Sequence, residues 1–180
     1  MRKSIIAIVV ATFSTLYATS ASAAGPSAAL LVGNGFKDGF NLGFGARGGF
    51  TLPMNLYVGG TLVYHLGKSE STPFGDASVK VLYVGAEGGY EISAGPLIVR
   101  PFVGLGYASA SVSIPNPFGG GTISNSTGKA ALWPGAVALF PIGSAFVGAD
   151  LRYVIILDSD NGQSESLAAF SAFATGNLNF

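Results

Sequence analysis

Residues 170–180, FSAFATGNLNF, decide the fold of this chain. Every second position of the segment carries an apolar or small residue, at Phe170, Ala172, Ala174, Gly176, Leu178 and Phe180. Polar residues stand between them, at Ser171, Thr175, Asn177 and Asn179. A period of two places successive side chains on opposite faces of a β-strand. The segment is therefore predicted to be a strand with an apolar medium on one face and polar neighbours on the other.

The amino terminus has the pattern of a secretory signal peptide. Two basic residues precede an apolar run over residues 5–13, and Ala21-Ser22-Ala23 supplies a cleavage site of small residues. The apolar run is shorter than the ~20 residues that a transmembrane helix needs. We therefore expect residues 1–23 to be removed and residues 24–180 to form a single domain.

Charge and cysteine content exclude several classes of function. The chain has nine basic and nine acidic residues, and removal of residues 1–23 leaves seven basic and nine acidic ones. The resulting net charge of minus two makes nucleic acid an unsuitable partner. Without cysteine the chain forms no disulfide and no thiolate metal site. Mean hydropathy is positive although no apolar run has the length of a spanning helix, which favours a membrane β-barrel.

Turn signals divide the mature chain into eight segments. Short turns stand at residues 53–55, 94–96 and 143–144, and longer polar segments alternate with them at residues 33–39, 67–77, 115–128 and 158–165. Each proposed strand has at least the ~9 to 11 residues that a tilted membrane strand needs. The prediction is an all-β fold, an eight-stranded antiparallel up-and-down transmembrane β-barrel with both termini in the periplasm. The alternative is a soluble secreted β-sandwich or lipocalin-like barrel.

Alternation also assigns the faces of most strands. In the second strand the apolar even-numbered residues from Phe40 to Leu52 are expected to contact lipid, while Arg47 and its odd-numbered neighbours face inward. The first strand, around residues 28–32, and the sixth, residues 130–140, are apolar on both faces. Their orientation stays open.

Outward aromatic residues cluster at two heights. Those near the outer ends of the strands are Phe40, Tyr64, Tyr107, Tyr153 and Phe170, and those near the periplasmic ends are Phe50, Tyr90 and Phe180. Two such belts are typical of the two interfaces of a membrane barrel. Aromatic residues that served strand propensity alone would scatter in height.

Six charged residues occupy inward positions: Arg47, Glu87, Glu91, Arg100, Asp150 and Arg152. A hairpin folded about Gly95 places Glu91 nearly opposite Arg100. Because a buried charge must be paired, we predict an ion-pair network inside the barrel. The network is interpreted as structural, holding the lumen polar and closed, and a gating or proton-linked role is the alternative.

His65 is the only histidine, and it is expected to face inward near the outer rim. An acyl hydrolase acting on lipid A would need a serine on the same strand face, but Gly67 stands there. No nucleophile with a positioned base is identifiable, so we predict that the chain is not an enzyme. We expect no cofactor and no metal, since residues 158–162 lack the ligand spacing of a calcium loop.

The terminal segment resembles the C-terminal signal of bacterial outer-membrane barrels. Three further segments resemble the small outer-membrane β-barrel family that includes OmpX-like and OmpA transmembrane-domain-like proteins: Gly45-Ala46-Arg47-Gly48-Gly49-Phe50, Leu56-Tyr57-Val58-Gly59-Gly60 and Tyr64-His65-Leu66-Gly67. The resemblance implies a location in the outer membrane of a Gram-negative cell, surrounded by membrane lipids and lipopolysaccharide. It also implies assembly by the barrel-insertion machinery through the C-terminal strand, but it does not identify a function.

Three functions therefore remain open at the level of sequence. The first is a structural or surface-interaction barrel whose extracellular partner is unknown. The second is a narrow passive pore for small solutes. The third is a lipid A modifying enzyme that uses His65.

Overall fold

A computed structural model describes residues 25–37, 40–67, 69–72, 75–115, 122–143, 145–157 and 167–179. The expected signal peptide, the polar segment at residues 158–165 and Phe180 lie outside the described residues. No helix within the described ranges is long and apolar enough to cross a membrane.

Eight strands account for most of the described chain. In order they are β1 (Gly25–Gly35), β2 (Leu42–Thr51), β3 (Leu56–His65, continued by Ser69–Thr72), β4 (Gly75–Tyr90, continued by Ile92–Ala94), β5 (Leu97–Pro115), β6 (Thr122–Ile142), β7 (Ala145–Ile156) and β8 (Leu167–Asn179). A single turn of 3-10 helix, Pro53–Asn55, joins β2 to β3.

The strands form one closed antiparallel sheet. Each strand pairs with the next one in the chain, and β8 returns to pair with β1. Cross-strand partners followed around the sheet from Gly25 return to β1 at Gly35, so the two ends of the path differ by ten residues. This stagger tilts the strands against the barrel axis. The eight-stranded up-and-down barrel predicted from the sequence is confirmed.

The three short turns lie together at one end of the barrel, next to the start of β1 and the end of β8. Gly95 and Gly143 have φ angles of +64° and +63° there, which glycine adopts without steric cost. Tight turns of this kind join neighbouring antiparallel strands directly. The strand ends that the four longer connections join therefore lie at the opposite end of the barrel.

The outer surface of the wall is apolar. On β2, Leu42, Phe44 and Phe50 are exposed on the outside, and Arg47 between them is buried in the lumen. The same alternation leaves further residues exposed around the barrel, among them Leu62, Val84, Val103, Leu105, Val147 and Leu151. A continuous apolar band of this kind suits a hydrocarbon surrounding.

Pairing settles the two strands that the sequence left open. On β1, Leu31 is buried in the lumen while Leu30 is exposed on the outside. On β6, Trp133 is fully buried and Pro134 takes the outward position. The ladder between β6 and β7 skips Trp133 and Pro134, since proline has no N–H to donate.

The predicted outward orientation of Phe40 is wrong. The sequence places it in the outer aromatic belt, but its side chain is fully buried inside the barrel mouth. The chain turns before β2 begins, and the Phe40 N–H donates to the carbonyl oxygen of Lys37 at 2.9 Å. Alternation holds only within extended backbone, so it does not reach this residue.

The other described belt residues do not lie inside the lumen. Five of them are exposed large residues on the outer wall, at Phe50, Tyr90, Tyr107, Tyr153 and Phe170. Tyr64 is partly exposed, and its ring lies 5.6 Å from that of Phe44. Their alignment with two membrane interfaces stays a prediction.

Four strand segments extend beyond the barrel wall at the end opposite the short turns. The continuation of β3 pairs with β4 through Ser69 and Ser78, and β5 and β6 stay paired as far as Pro115 and Thr122. In contrast, β7 pairs with β6 only from Ala131 onward. We name residues 69–72, 75–80, 109–115 and 122–130 the protruding sheet.

The protruding sheet corrects the sequence analysis, which assigned much of it to polar loops at residues 67–77 and 115–128. These segments are rich in serine and threonine, and residues 109–114 alternate serine with apolar residues. Hydroxyl and β-branched side chains suit an exposed hairpin. These strands therefore continue beyond the level at which the rest of the barrel wall ends.

The apolar face of the wall changes sides at the base of the protruding sheet. On β5 the outward residues Leu105 and Tyr107 are exposed. The next outward residues are Ser109, Ser111 and Ser113. On the face toward the barrel axis, Val112 is 43% and Ile114 47% exposed, and the cross-strand partner of Ile114 is Ile123, which is 51% exposed. Such a change from leucine and tyrosine to serine is expected at the level where the hydrocarbon of a membrane ends.

We expect Val103→Arg to lower the free energy of unfolding by about 2–4 kcal/mol, because it places a guanidinium near the middle of the hydrocarbon. Ser113→Arg lies on the same face of the same strand but within the protruding sheet, and it should change stability by less than about 0.5 kcal/mol. Urea titration of both variants folded into liposomes measures the difference. Similar losses in the two variants would contradict a membrane boundary at Tyr107.

Candidate functional site

The candidate site is the charged interior of the barrel. Strand alternation directs six charged side chains inward from β2, β4, β5, β7 and the junction after Tyr90, and none is more than 4% exposed: Arg47, Glu87, Glu91, Arg100, Asp150 and Arg152. Burial at this level removes the charges from water, so each needs a partner of opposite sign. The barrel brings them together in two groups.

The larger group is a closed ring of four charges from three strands. Arg47 Nε lies 2.6 Å from Glu87 Oε2, and Arg47 Nη2 lies 2.6 Å from Asp150 Oδ2. Arg152 donates to both oxygens of Asp150, at 2.8 and 2.7 Å, and its Nη1 lies 3.4 Å from Glu87 Oε1. Two cations and two anions therefore alternate around the lumen, and the ring carries no net charge.

The second group lies nearer the short turns. Arg100 donates to Glu91 through Nε, at 3.1 Å, and through Nη2. Thr51 Oγ1 donates to the same Glu91 oxygen at 3.0 Å. The guanidinium carbon of Arg100 lies 3.9 Å from the centre of the Tyr57 ring, a cation–π arrangement. This pair is also neutral, and it lies inside the lumen below the ring of four charges.

Aromatic side chains enclose the ring of four charges. Trp133 Nε1 donates to Glu87 Oε1 at 2.9 Å. The guanidinium carbon of Arg152 lies 5.4 Å from the centre of the Phe102 ring, 5.3 Å from that of Phe173 and 6.0 Å from that of Tyr83. Cations in a dry interior gain from contact with aromatic faces. Aromatic rings from several strands thus pack against the network.

Inward glycines make room for these large side chains. A Cβ atom built on Gly104 would lie 1.8 Å from Trp133 Nε1, and one built on Gly49 would lie 2.4 Å from the Tyr57 hydroxyl oxygen. At these two positions a side chain from the neighbouring strand therefore fills the space that the glycine leaves.

His65 lies fully buried beneath the segment that carries Phe40. Its Nδ1 is 2.9 Å from the carbonyl oxygen of Asn41, and its ring centre lies 5.1 Å from that of Phe40 in an edge-to-face contact. The rings of Tyr83 and Phe173 lie 6.0 and 5.7 Å away. His65 therefore holds the turn before β2 over the barrel mouth, and it is not an open rim residue.

Sequence reasoning missed three aromatic residues of this interior, namely Tyr83, Trp133 and Phe173. Phe173 shares its parity with the inward Ser171 and Thr175, and Tyr83 lies between the outward Leu82 and Val84, so strict alternation would have found both. Trp133 had no such signal, because β6 is apolar on both faces. In the described residues, no cluster of three or more histidine, aspartate or glutamate side chains has the grouping of a metal site.

Solved structures of several outer-membrane proteins match this chain. The chain matches a major outer membrane protein from Thermus thermophilus at a TM-score of 0.62 and 14% identity, covering 87% of this chain and 100% of the other. It matches Neisserial surface protein A at a TM-score of 0.58 and 16% identity, and the match covers 86% of this chain and 96% of the other. It matches Ail, the attachment invasion locus protein of Yersinia pestis, at a TM-score of 0.56 and 19% identity. This match covers 87% of this chain and 99% of the other.

These likenesses extend over nearly the whole of each barrel, so the resemblance to small outer-membrane barrels is confirmed at the level of the fold. No family model and no curated protein sequence matches the chain. Fold alone does not determine function.

Glu87→Gln should lower the free energy of unfolding by about 3–5 kcal/mol, since it leaves two buried arginines with a single carboxylate. Adding Arg47→Met removes the unpaired charge and should recover part of that loss. Asp76→Asn is the control, because this exposed carboxylate has only a hydrogen bond from Ser71, at 2.7 Å, and should cost less than about 1 kcal/mol. Urea titration in liposomes measures all three. A double variant no more stable than Glu87→Gln would contradict the charge coupling.

Proposed function

We propose that this chain, which has the fold of the small outer-membrane barrels, acts as a closed anchor that holds the protruding sheet at the cell surface for interaction with other molecules. The observation that carries the proposal is the ring formed by Arg47, Glu87, Asp150 and Arg152, which is enclosed by Phe102, Tyr83 and Phe173. A barrel of eight strands is just wide enough for its own side chains to fill.

The protruding sheet supports the interaction part of the proposal. It is exposed over much of β6, where residues 122–128 are all exposed, and β6 has no described neighbour on its far side before Ala130. Among its described residues only Ala110, at its base, packs against the enclosed core. Its exposed faces are available to a partner outside the membrane.

The orientation proposed here places the short turns in the periplasm and the protruding sheet outside the cell. Short periplasmic turns and longer extracellular connections are the rule in barrels of this class. In this orientation both termini are periplasmic, and β8 presents Phe170 and Leu178 on its outward face to membrane and assembly machinery. Outer-membrane lipid and lipopolysaccharide are then the immediate surroundings of the wall.

The arrangement around His65 supports a non-enzymatic role. Nδ1 faces a backbone carbonyl and the ring is enclosed by Phe40, Tyr83 and Phe173. A general base must reach the proton that it removes from a substrate group. His65 is fully buried beneath Phe40, which blocks such an approach from outside.

Planar-bilayer recording tests the closed lumen against the alternative of a narrow pore. Purified protein should insert without discrete conductance steps, because two ion-paired layers and the surrounding aromatic rings fill the lumen. Phe40→Ala should also give no steps, since it removes only the contact at the mouth and leaves the ring of four charges. Heat-modifiable electrophoretic mobility confirms that the barrel is folded. Discrete conductance steps in the unaltered protein would favour the pore and contradict the proposed closed lumen.

Labelling of single cysteines in intact cells tests the orientation. The chain has no cysteine, so Ser124→Cys in the protruding sheet and Ser93→Cys beside a short turn each create a single thiol at an exposed position. A membrane-impermeant maleimide should label Ser124→Cys in intact cells and Ser93→Cys only after the outer membrane is permeabilised. The reverse pattern would place the protruding sheet in the periplasm.

A further inference from the structure

His65 holds the segment that closes the barrel mouth. The carbonyl oxygen of Asn41 accepts a hydrogen bond from the Gly35 N–H at 3.3 Å and lies 2.9 Å from His65 Nδ1. Phe40, the residue before Asn41, is fully buried, and its ring meets that of His65 edge to face. A Cβ atom on Gly35 would clash with Phe40, so the segment fits closely against β1. One imidazole thus contacts both residues that cover the mouth.

The hydrogen bond to Asn41 determines which ring nitrogen of His65 carries the proton. A carbonyl oxygen only accepts, so Nδ1 is assigned as the donor and Nε2 is left unprotonated. In an imidazolium both nitrogens are donors. Nε2 is buried and has no hydrogen-bond partner among the described residues, so a proton added there would meet no acceptor. The closed mouth therefore accommodates the neutral ring and not the charged one.

The groups that face His65 do not compensate for a positive charge. Those against its ring are uncharged and come from four places in the fold: Phe40 before β2, Gly43 on β2, Tyr83 on β4 and Phe173 on β8. Among the described residues, the charged one that acts on His65 is Arg152 on β7, which has the same sign as an imidazolium. The carboxylates beside Arg152, those of Asp150 and Glu87, are already paired with arginines. Protonated His65 would therefore be buried beside a second cation.

We propose that His65, Phe40 and Asn41 form an acid-sensitive latch at the barrel mouth, in which proton uptake by the imidazole releases the other two residues. An exposed histidine takes up a proton at about pH 6.5. As the pH falls through that value, the released state binds more protons than the closed state does. The closed mouth is therefore fully favoured above about pH 6.5 and loses stability below it.

Release of the latch opens an aromatic pocket and not a channel. Departure of Phe40 uncovers the rings of Tyr83 and Phe173, which are buried while the mouth is closed. None of the hydrogen bonds of the latch among the described residues involves the ring of four charges, so that ring keeps its partners. The latch thus adds a pH response at the mouth to the anchor role and leaves the lumen beneath it closed.

Single-cysteine labelling of the mature chain in detergent micelles tests the latch. Ser171 is fully buried, and its hydroxyl has no hydrogen-bond partner among the described residues. Its cross-strand partner is Gly35, against which Phe40 packs. Ser171→Cys should therefore react slowly with N-ethylmaleimide at neutral pH. Its rate relative to that of the exposed Ser124→Cys at the same pH should rise roughly tenfold between about pH 7.5 and about pH 5.5, since one proton changes an equilibrium by up to tenfold per pH unit.

Two further variants separate the latch from a general effect of acid. His65→Phe fills the same space without titrating, so the relative labelling rate of Ser171→Cys in this background should be the same at both pH values. Phe40→Ala is the matched control, because it uncovers Ser171 and keeps His65, and it should give fast labelling at both pH values. Heat-modifiable mobility shows that each variant is folded, and His65→Gln provides a second side chain that does not titrate.

NMR spectroscopy of the unaltered chain, expressed without a histidine tag, measures the protonation of His65 directly, since the sequence contains no other histidine. The imidazole nitrogen shifts should place the proton on Nδ1 at neutral pH, and ring protonation should follow the same pH dependence as the rise in labelling. Three results overturn the latch: a relative labelling rate of Ser171→Cys that does not change with pH, a rise that persists in both His65→Phe and His65→Gln, or a proton on Nε2 at neutral pH.

Discussion

The structure depends on the requirement that every backbone N–H and C=O in hydrocarbon find a partner within the protein. A β-sheet meets that requirement only when it closes, and β8 closes this one by pairing with β1. Eight strands with a ten-residue stagger then determine the width of the interior. The lumen is wide enough for arginine, tryptophan and tyrosine side chains, but only because glycines such as Gly104 stand opposite them. Closure of the wall thus determines how the inside must be filled.

Apolar side chains and paired charges fill the interior of the barrel, and the two have different energetic consequences. Apolar and aromatic residues form one buried cluster inside the barrel, which includes Leu31, Tyr83 and Phe146. Within it lie charges that cost free energy to bury, and their mutual attraction offsets that cost only when geometry and hydrogen bonding are good. Arg152 meets this condition through a two-point contact with Asp150. The network therefore contributes a specific arrangement of strands more than it contributes net stability.

Much of this organisation was predictable from alternation alone. The inward position of Arg47, Glu87 and Asp150 follows from a period of two, as does the outward position of Leu151. The predicted outward orientation of Phe40 was wrong because the backbone turns there and alternation no longer applies. Trp133 was missed because β6 is apolar on both faces. The protruding sheet was missed because serine and threonine are common both in loops and in exposed strands.

The amino-acid sequence by itself determined the strand number, the apolar outer wall and the set of charges inside it, since each depends on local periodicity and turn chemistry. The tertiary structure decided which charges meet. Arg47 on β2 pairs with Glu87 on β4 and Asp150 on β7, and none of these strands is its neighbour in the sheet. Such contacts cross the lumen, and they arise only when closure and stagger bring distant strands to face each other. The protruding sheet is also a result of the tertiary structure, since β5 and β6 stay paired beyond the level at which β7 pairs with β6.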